Sequence, residues 1–370
     1  MKKILLVLFF ILYFAPIATA QVQPTTEVKV EARVVKILES SRIIEESGNS
    51  HPYQKLQLEG TSKNIKGKFI TTENGKFDQT GIVVYKIGDQ LVLTQMKGPQ
   101  GISYSITDYV RRTPLAILFL IFVVLAVFIG GKRGASSLIG MTLTFALLYF
   151  FILPQISNGA HTLLMSTIAA IIIVPSTFFL SHGINKKTLC AILGTFIALI
   201  LTGALASFFV QQAHLSGFAS EEAGYLDVMK KGSIDIKGLL FAGIIIGLLG
   251  VLQDITVSQA AVVYQLKKAN AKMKFIDLFT HAMDVGRDHI ASMTNTLILV
   301  YAGASLPLLL LFINNPLPFS QVVNSEMISQ EIVTTLISSI GLIIAVPITT
   351  LLTAFIAGVK TERSHIEKHQ

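Results

Sequence analysis

Apolar residues in this chain are concentrated in seven long runs after residue 113, separated by short polar loops. Each run approaches the roughly 20 residues that an α-helix needs to cross the hydrocarbon core of a bilayer. The pattern therefore predicts an all-α polytopic membrane bundle of about seven spans over residues 113–358, with a cytoplasmic tail at residues 359–370. The predicted spans are 114–130, 135–153, 162–181, 189–210, 238–260, 290–313 and 332–357.

Residues 21–112 follow a different pattern, in which apolar and polar residues alternate. The alternation is clear over residues 27–34 and 54–59, and a period of two indicates half-buried β-strands. Turn dipeptides separate these runs, among them Gly48-Asn49, Asn74-Gly75 and Gly88-Asp89. The segment is predicted to be a small extracytoplasmic antiparallel β domain, an OB-like barrel.

The first 20 residues have the pattern of an export signal. Lys2 and Lys3 precede an apolar stretch at residues 4–14, and Ala18-Thr19-Ala20 provides small residues for cleavage. We interpret residues 1–20 as a signal peptide. An uncleaved N-terminal anchor is the alternative, and both interpretations place residue 21 onward outside the cytoplasm.

Composition supports this division of the chain. Of the 370 residues, 52% are hydrophobic and only 14% are charged, about half the charge of a soluble domain. The net charge of +8 comes largely from Lys and Arg in alternate loops, which predicts an external N-terminus and a cytoplasmic C-terminus in the cell membrane rather than nucleic-acid binding. Cys190 is the single cysteine, so neither a disulfide framework nor a cysteine-based metal site is expected.

Two pairs of runs resemble each other. Residues 164–180 and 336–352 share nine of 17 residues without gaps, including a proline, and residues 141–149 resemble residues 293–301. A parallel internal repeat, in which spans one to three correspond to five to seven, would produce both similarities. The alternative is that apolar helices resemble each other by chance.

The fifth run contains the first candidate binding residues. Asp254 follows a long apolar stretch, and Ser258 lies four residues later on the same helix face. A carboxylate that faces lipid is unfavourable by several kcal/mol, so Asp254 is expected to face the bundle or water as an ion or substrate contact. A helix-end aspartate paired to a basic residue at the cytoplasmic interface is the alternative.

A second polar cluster leads into the sixth run. Asp288, Ser292 and Asn295 occur at i, i+4 and i+7 and form one stripe, which is predicted to face inward because lipid cannot satisfy an amide. Arg287 is interpreted as a gating residue and as the partner of Asp254. The alternative is that Arg287 is a solvated residue that follows the loop-charge rule.

Other chemistry has less support in the sequence. His281, Asp284 and Asp288 lie along one segment and are a secondary candidate for a metal site, although there is no cysteine and no second histidine at a fixed spacing. The sequence contains no P-loop, no H-E-x-x-H and no G-x-S-x-G. We therefore predict no enzyme activity, no catalytic residues, no cofactor and no metal centre.

With these residues in view, the chain resembles the YibE/F family of multi-spanning bacterial membrane proteins. The resemblance rests on GIIIGLLGVLQDITVS at residues 243–258, on GRDHIASMTNTLILVYAG at residues 286–303, and on the Asp108-Tyr109-Val110-Arg111 junction. It implies a polytopic membrane protein with an external N-terminal domain, and it assigns no substrate.

These features predict an ion-coupled transporter or permease whose site is formed by Asp254, Ser258, Asp288 and Asn295. The alternative is a non-transporting scaffold or sensor whose external β domain binds a protein partner. The expected partners are the lipid bilayer and a small solute or ion, with no nucleic acid.

Overall fold

The computed structural model describes residues 28–44, 50–76, 81–98, 101–314 and 317–366. The described residues divide into two compact units that meet in the sequence between Leu125 and Ala126. The predicted signal peptide, the Gly48-Asn49 turn and the last four residues of the predicted tail lie outside the described residues.

The N-terminal unit is built on one antiparallel sheet. Its strands are β1 (Val28–Ile44), β2 (Ser50–Gly60), β3 (Phe69–Asn74), β4 (Gln90–Gly98) and β5 (Gly101–Tyr109). They lie in the order β3-β2-β1-β4-β5, which forms a half-barrel. The predicted antiparallel β domain is confirmed at this level, whereas the OB-like barrel stays a prediction.

Alternation of side chains creates the core of the sheet. Val30, Ala32 and Val34 on β1 are at most 2% exposed, while the residues between them face outward. Bulges after Val34 and Ile37 bend the long first strand. The hydroxyl of Thr72 on β3 donates to the Tyr104 carbonyl on β5 at 2.8 Å, so the two edge strands approach each other.

The second part of the chain is helical. A short helix at Leu153–Ser157 follows the first long helix, Arg112–Leu147, after one turn of π-helix at Leu148–Ile152. Pro175 and Pro347, which occupy matching positions in the two similar segments, both lie inside helices. The helices are α1 (Arg112–Leu147), α2 (Leu153–Ser157), α3 (Thr162–His182), α4 (Lys186–Gln212), α5 (Glu221–Met229), α6 (Ile236–Ala269), α7 (Phe275–Ala304), α8 (Leu306–Ile313), α9 (Phe319–Asn324) and α10 (Glu326–Ile366).

Five helical segments among the described residues are long and apolar enough to cross a membrane, and α7 with α8 makes a sixth if this pair, bent by 67°, is one span. The predicted count of seven stays a prediction, because the predicted first and second spans fall in one 46-residue segment, Arg112–Ser157. The backbone of α10 stays helical to Ile366, and so includes the first residues of the predicted tail.

The long first segment is broken at Gly131, whose φ of 56° and ψ of −138° are not helical. Gly134 lies so close to the carbonyl oxygen of Ala126 that a side chain at 134 would collide with it. Residues eight apart in a straight helix are separated by about 12 Å along the axis. The chain therefore turns back sharply at Gly131, where the positive φ favours glycine.

Helices α4, α6 and α10 form the centre of the helical unit. Gly194 on α4 lies directly against Thr349 of α10, and a Cβ added to Gly341 of α10 would lie 2.8 Å from Leu248 of α6. Small residues at such points allow helix backbones to approach closely, as membrane helices require. Around these contacts Leu248, Leu252 and Leu342 are fully buried.

One carboxylate joins two distant parts of the helical unit. Glu326, the first residue of α10, accepts hydrogen bonds from the backbone N–H groups of Ser216 and Gly217 at 2.6 and 3.0 Å. The Ser216 hydroxyl also lies 2.7 and 2.9 Å from its two oxygens. Charge-assisted hydrogen bonds of this kind are roughly twice as strong as neutral ones. Glu326 therefore holds the start of α10 to the loop that follows α4.

We expect Glu326→Ala to lower the free energy of unfolding by about 2 kcal/mol, because it removes the acceptor of these hydrogen bonds. That loss corresponds to roughly 4–8 °C in the melting temperature of a unit of this size. Cys190 is the only cysteine and is 0% exposed, so a thiol-reactive fluorophore reports unfolding in detergent micelles.

Glu331→Ala on the same helix is the control, since Glu331 has no ion pair among the described residues. Equal melting temperatures for the two variants would contradict the assigned role of Glu326.

Candidate functional site

A polar groove of about 520 Å³ lies between α1, α3 and α6 of the helical unit. Its polar lining includes one carboxylate, one imidazole, one amide and several hydroxyls, set among apolar side chains such as Phe145 and Val257. The residues that line it are Ser137, Gly140, Met141, Thr144, Phe145, Thr177, Phe178, Ser181, His182, Gly250, Gln253, Asp254, Val257 and Ser258.

Asp254 is the only acidic residue in the groove, and α6 presents it together with Ser258. The turn between them places both side chains on one side of the helix. Leu252, Ile255 and Thr256, on the other side of α6, are buried against α4 and α10. Packing of that side therefore turns Asp254 toward the groove, where its side chain is exposed.

Among the described residues, Asp254 has neither an ion pair nor a hydrogen bond. The Nε2 of the adjacent Gln253 is buried and also lacks a partner. Gln253 thus has a buried donor without the partner that folded proteins normally supply, while the exposed carboxylate of Asp254 is open to a ligand.

Helix α3 supplies the opposite wall. Thr177 uses its hydroxyl within the helix, donating to the carbonyl of Ile173 at 2.8 Å. Ser181 and His182, one turn further, line the groove at the end of α3. A Cβ added to Gly140 of α1 would be 3.8 Å from the Ser181 hydroxyl oxygen, so α1 and α3 approach closely there.

The groove has the chemistry of a cation site. A carboxylate and hydroxyl oxygens accept from cations or from N–H donors, and a neutral imidazole can accept or donate a proton. The described groove residues include no Lys or Arg. The arrangement can therefore hold a proton, a metal cation or an amine.

Of the four predicted binding residues, the structure brings Asp254 and Ser258 together and leaves Asp288 and Asn295 elsewhere. Asp288 and Asn295 lie on α7, do not line the groove and are exposed. The stripe predicted to face inward lies on the exposed side of α7 in this structure. Met283, Ile290, Met293 and Leu297 occupy the side of α7 that packs against the core, which leaves the stripe on the opposite side.

Arg287 does not form the predicted bridge to Asp254. Its guanidinium binds Asp284 at 2.7 Å, one turn earlier on α7. The two side chains are 69% and 57% exposed, so this ion pair contributes little to stability. The prediction assumed that the fifth and sixth predicted spans, which correspond to α6 and α7, bring Asp254 and Arg287 together. In the structure α6 directs Asp254 toward α1 and α3 instead.

The secondary metal candidate is not assembled either. Asp284 is occupied by Arg287, and His281 and Asp288 are exposed. No group of three His, Cys, Asp or Glu side chains within the described ranges is placed to hold a metal ion.

Sequence reasoning missed the role of Gln259. This side chain is fully buried and donates from Nε2 to the Ala282 carbonyl of α7 at 2.7 Å and to the Thr350 hydroxyl of α10 at 2.8 Å. Gly286 of α7 faces the same junction, where an added Cβ would lie 2.6 Å from Val346 of α10. The sequence did mark both residues. Gln259 directly follows the family-like string that ends at Ser258, and Gly286 is the first residue of the second string.

Comparison with known proteins identifies one family. The model of the family described as YibE/F-like protein matches residues 118–359, about two thirds of the chain. The match begins at residue 118 in α1, ends at residue 359 in α10, and includes every residue that lines the groove. No curated protein and no solved structure matches the chain.

We expect Gly286→Ala to lower the free energy of unfolding by about 1–3 kcal/mol, because the new methyl would overlap Val346 and press on Gln259. Thiol labelling of Cys190 during heating measures the change.

Gly303→Ala is the matched control on α7, since a Cβ there meets no atom within 4 Å. Alanine also has the higher helix propensity, so this control should be neutral or slightly stabilised. If Gly286→Ala behaved in the same way, the tight junction between α6, α7 and α10 would be refuted.

Proposed function

The chain belongs to the YibE/F-like family, and we propose that this member is an ion-coupled membrane transporter whose coupling cation binds at Asp254. The family and the long apolar helices are compatible with a membrane protein. The observation that carries the proposal is an unpaired carboxylate in a polar groove between three of these helices.

The cost of a carboxylate in a membrane helix supports a binding role. An ionised aspartate within apolar helices is unfavourable unless a cation, a proton or water accompanies it. In the described structure no basic side chain neutralises Asp254, so a mobile cation is the natural partner. Ser258, and His182 across the groove, supply further oxygen and nitrogen ligands.

The depth of the groove fits this role. Asp254 lies 18 residues after the start of α6 at Ile236, or about 27 Å along the helix axis. Lys267 and Lys268 follow in the last turn of α6. The carboxylate therefore stands between the membrane midplane and the basic end of the helix, where a cation arriving from that side would reach it.

We further propose seven spans, with the N-terminus outside and the C-terminus in the cytoplasm. An unbroken helix of 46 residues would be about 69 Å long, far more than the roughly 30 Å of a hydrocarbon core. The break at Gly131, followed directly by Lys132 and Arg133, supports two antiparallel spans joined at the cytoplasmic face. The bent pair α7 and α8 would then be one span.

A scaffold or sensor is the second candidate, and one observation favours it. A groove of about 690 Å³ lies in the β unit where β3 and β5 approach each other. The Lys76 ammonium is 2.8 Å from Glu73 at its rim, and this contact lowers the pKa of the Glu73 carboxyl. Exposed Ile102 and Met96 add apolar surface that a protein partner could cover.

Asp254→Asn tests the transport proposal directly. The amide has the same size but no charge, so we expect flux of the coupling cation to fall at least tenfold while the melting temperature changes little. Proteoliposomes with an imposed gradient would be assayed with radioactive sodium, radioactive rubidium and an internal pH-sensitive dye.

Asp284→Asn is the control, because Asp284 is an exposed carboxylate on α7 outside the groove. Undiminished flux in Asp254→Asn would remove the proposed role of this carboxylate. If no cation moved with the unmodified protein, while loss of residues 21–110 abolished its cellular role, the scaffold would replace the transporter.

A further inference from the structure

Helix α7 carries polar side chains on the face that points away from the helical core. Asp288, Ser292 and Asn295, here named the α7 stripe, are all exposed, and so is the small Ala291 between them. Met283, Ile290 and Met293 hold the opposite face against the core. This distribution suits a helix with one face in water, but α7 and α8 together are long and apolar enough to cross a membrane.

Asn295 is the critical member of the stripe. It lies two turns after Asp288, or about 10 Å further along the axis. Ile298, Leu299 and Val300, which follow it, are 45%, 62% and 61% exposed, so the amide borders an apolar surface. Lipid chains offer no hydrogen bond to an amide, and a carboxamide left alone in hydrocarbon is strongly unfavourable.

Neighbouring groups do not satisfy this amide. The Thr296 hydroxyl donates to the Ser292 carbonyl at 3.0 Å, so that side chain is satisfied within its own helix. Among the described residues, Asn295 has no such bond. Within the helical unit, α6 and α10 pack on the other face of α7, so the α7 stripe has no helix against it there.

We propose that the α7 stripe is the contact surface of a parallel homodimer, covered by α7 of a second copy of this chain. A two-fold interface places the same patch on both subunits, so its groups must complement themselves. An asparagine does so, because each amide both donates and accepts, and buried pairs of asparagines fix register in parallel helix dimers.

The size and charge of the side chains in and beside the α7 stripe suit a second copy of the chain as the partner. Ala291 and Ser292 are small, and small residues beside a polar group let two membrane helices approach closely. At the polar end of the stripe, Arg287 and Asp288 have opposite charges. The Arg287 guanidinium has donors beyond the one that binds Asp284, and these can reach Asp288 of the partner subunit. The patch thus complements a copy of itself in charge as well as in hydrogen bonding.

The lone cysteine makes a direct test practical. In a Cys190→Ala background, Ser292→Cys and Ala291→Cys are oxidised in native membranes, where a chain with one cysteine can form only intermolecular disulfides. Both variants keep Asn295, and we expect a dimer band for both. Ile200→Cys on α4 is the matched control, since this residue is 70% exposed on another apolar helix. Cross-linking at 291 and 292 no stronger than at 200 would overturn the proposal.

A second measurement does not depend on removing Cys190. In otherwise unmodified chain, Asn295→Leu should weaken the dimer at least tenfold, as measured by light scattering in detergent over a range of concentrations. Asn295→Gln keeps both hydrogen-bonding functions and should retain more of the dimer. An unchanged association constant in Asn295→Leu contradicts the proposal even if the protein dimerises by another face.

The competing occupant is the first predicted span of the same chain. It is tested with Ser292→Cys combined with Leu118→Cys in the Cys190→Ala background. A disulfide formed within one chain, with no dimer band, would assign the α7 stripe to an intramolecular contact and refute the dimer. A dimer band from this double variant supports it.

Discussion

The helical unit depends on the close approach of α4, α6 and α10. At Gly194 and Gly341 the neighbouring helix occupies the place where a side chain would be, and the hydroxyls of Thr195 and Thr256 lie 2.8 Å apart between α4 and α6. In a membrane, apolar surface gains little by leaving lipid for protein, so backbone proximity and buried hydrogen bonds must hold helices together. These contacts fix the rotation of α6 about its own axis. They therefore decide toward which neighbouring helix each polar side chain of α6 points.

The rotation of α6 separates two kinds of polar residue. Thr256 and Gln259 turn into the junction with α4, α7 and α10, where both are fully buried and hydrogen-bonded. Asp254 and Ser258 turn toward α1 and α3, where the helices stand apart and leave a groove. One short stretch of sequence thus supplies both the polar contacts that hold the helices together and the candidate binding site.

The local sequence pattern predicted the strands and helices better than it predicted how they pack against one another. Alternation over residues 27–34 was sufficient for the central strand, because its period of two already defines a buried face. The apolar runs located the long helices, and the loop predicted between the first two spans coincides with the non-helical backbone at Gly131. The α7 stripe, which was predicted to face inward, lies on the exposed side of α7, because packing of Met283, Ile290 and Met293 against the core turns it outward.

The sequence by itself determined an N-terminal strand-forming region, a C-terminal set of apolar helices, and Asp254 as a charged residue in an apolar run. It also identified the family, since the strings that include Asp254 and Gly286 lie within the matched region. The tertiary structure decided which polar residues meet. Asp254 lines the same groove as His182, 72 positions away in the chain, while Arg287 pairs with Asp284, because helix faces are selected by packing between distant segments and not by distance along the chain.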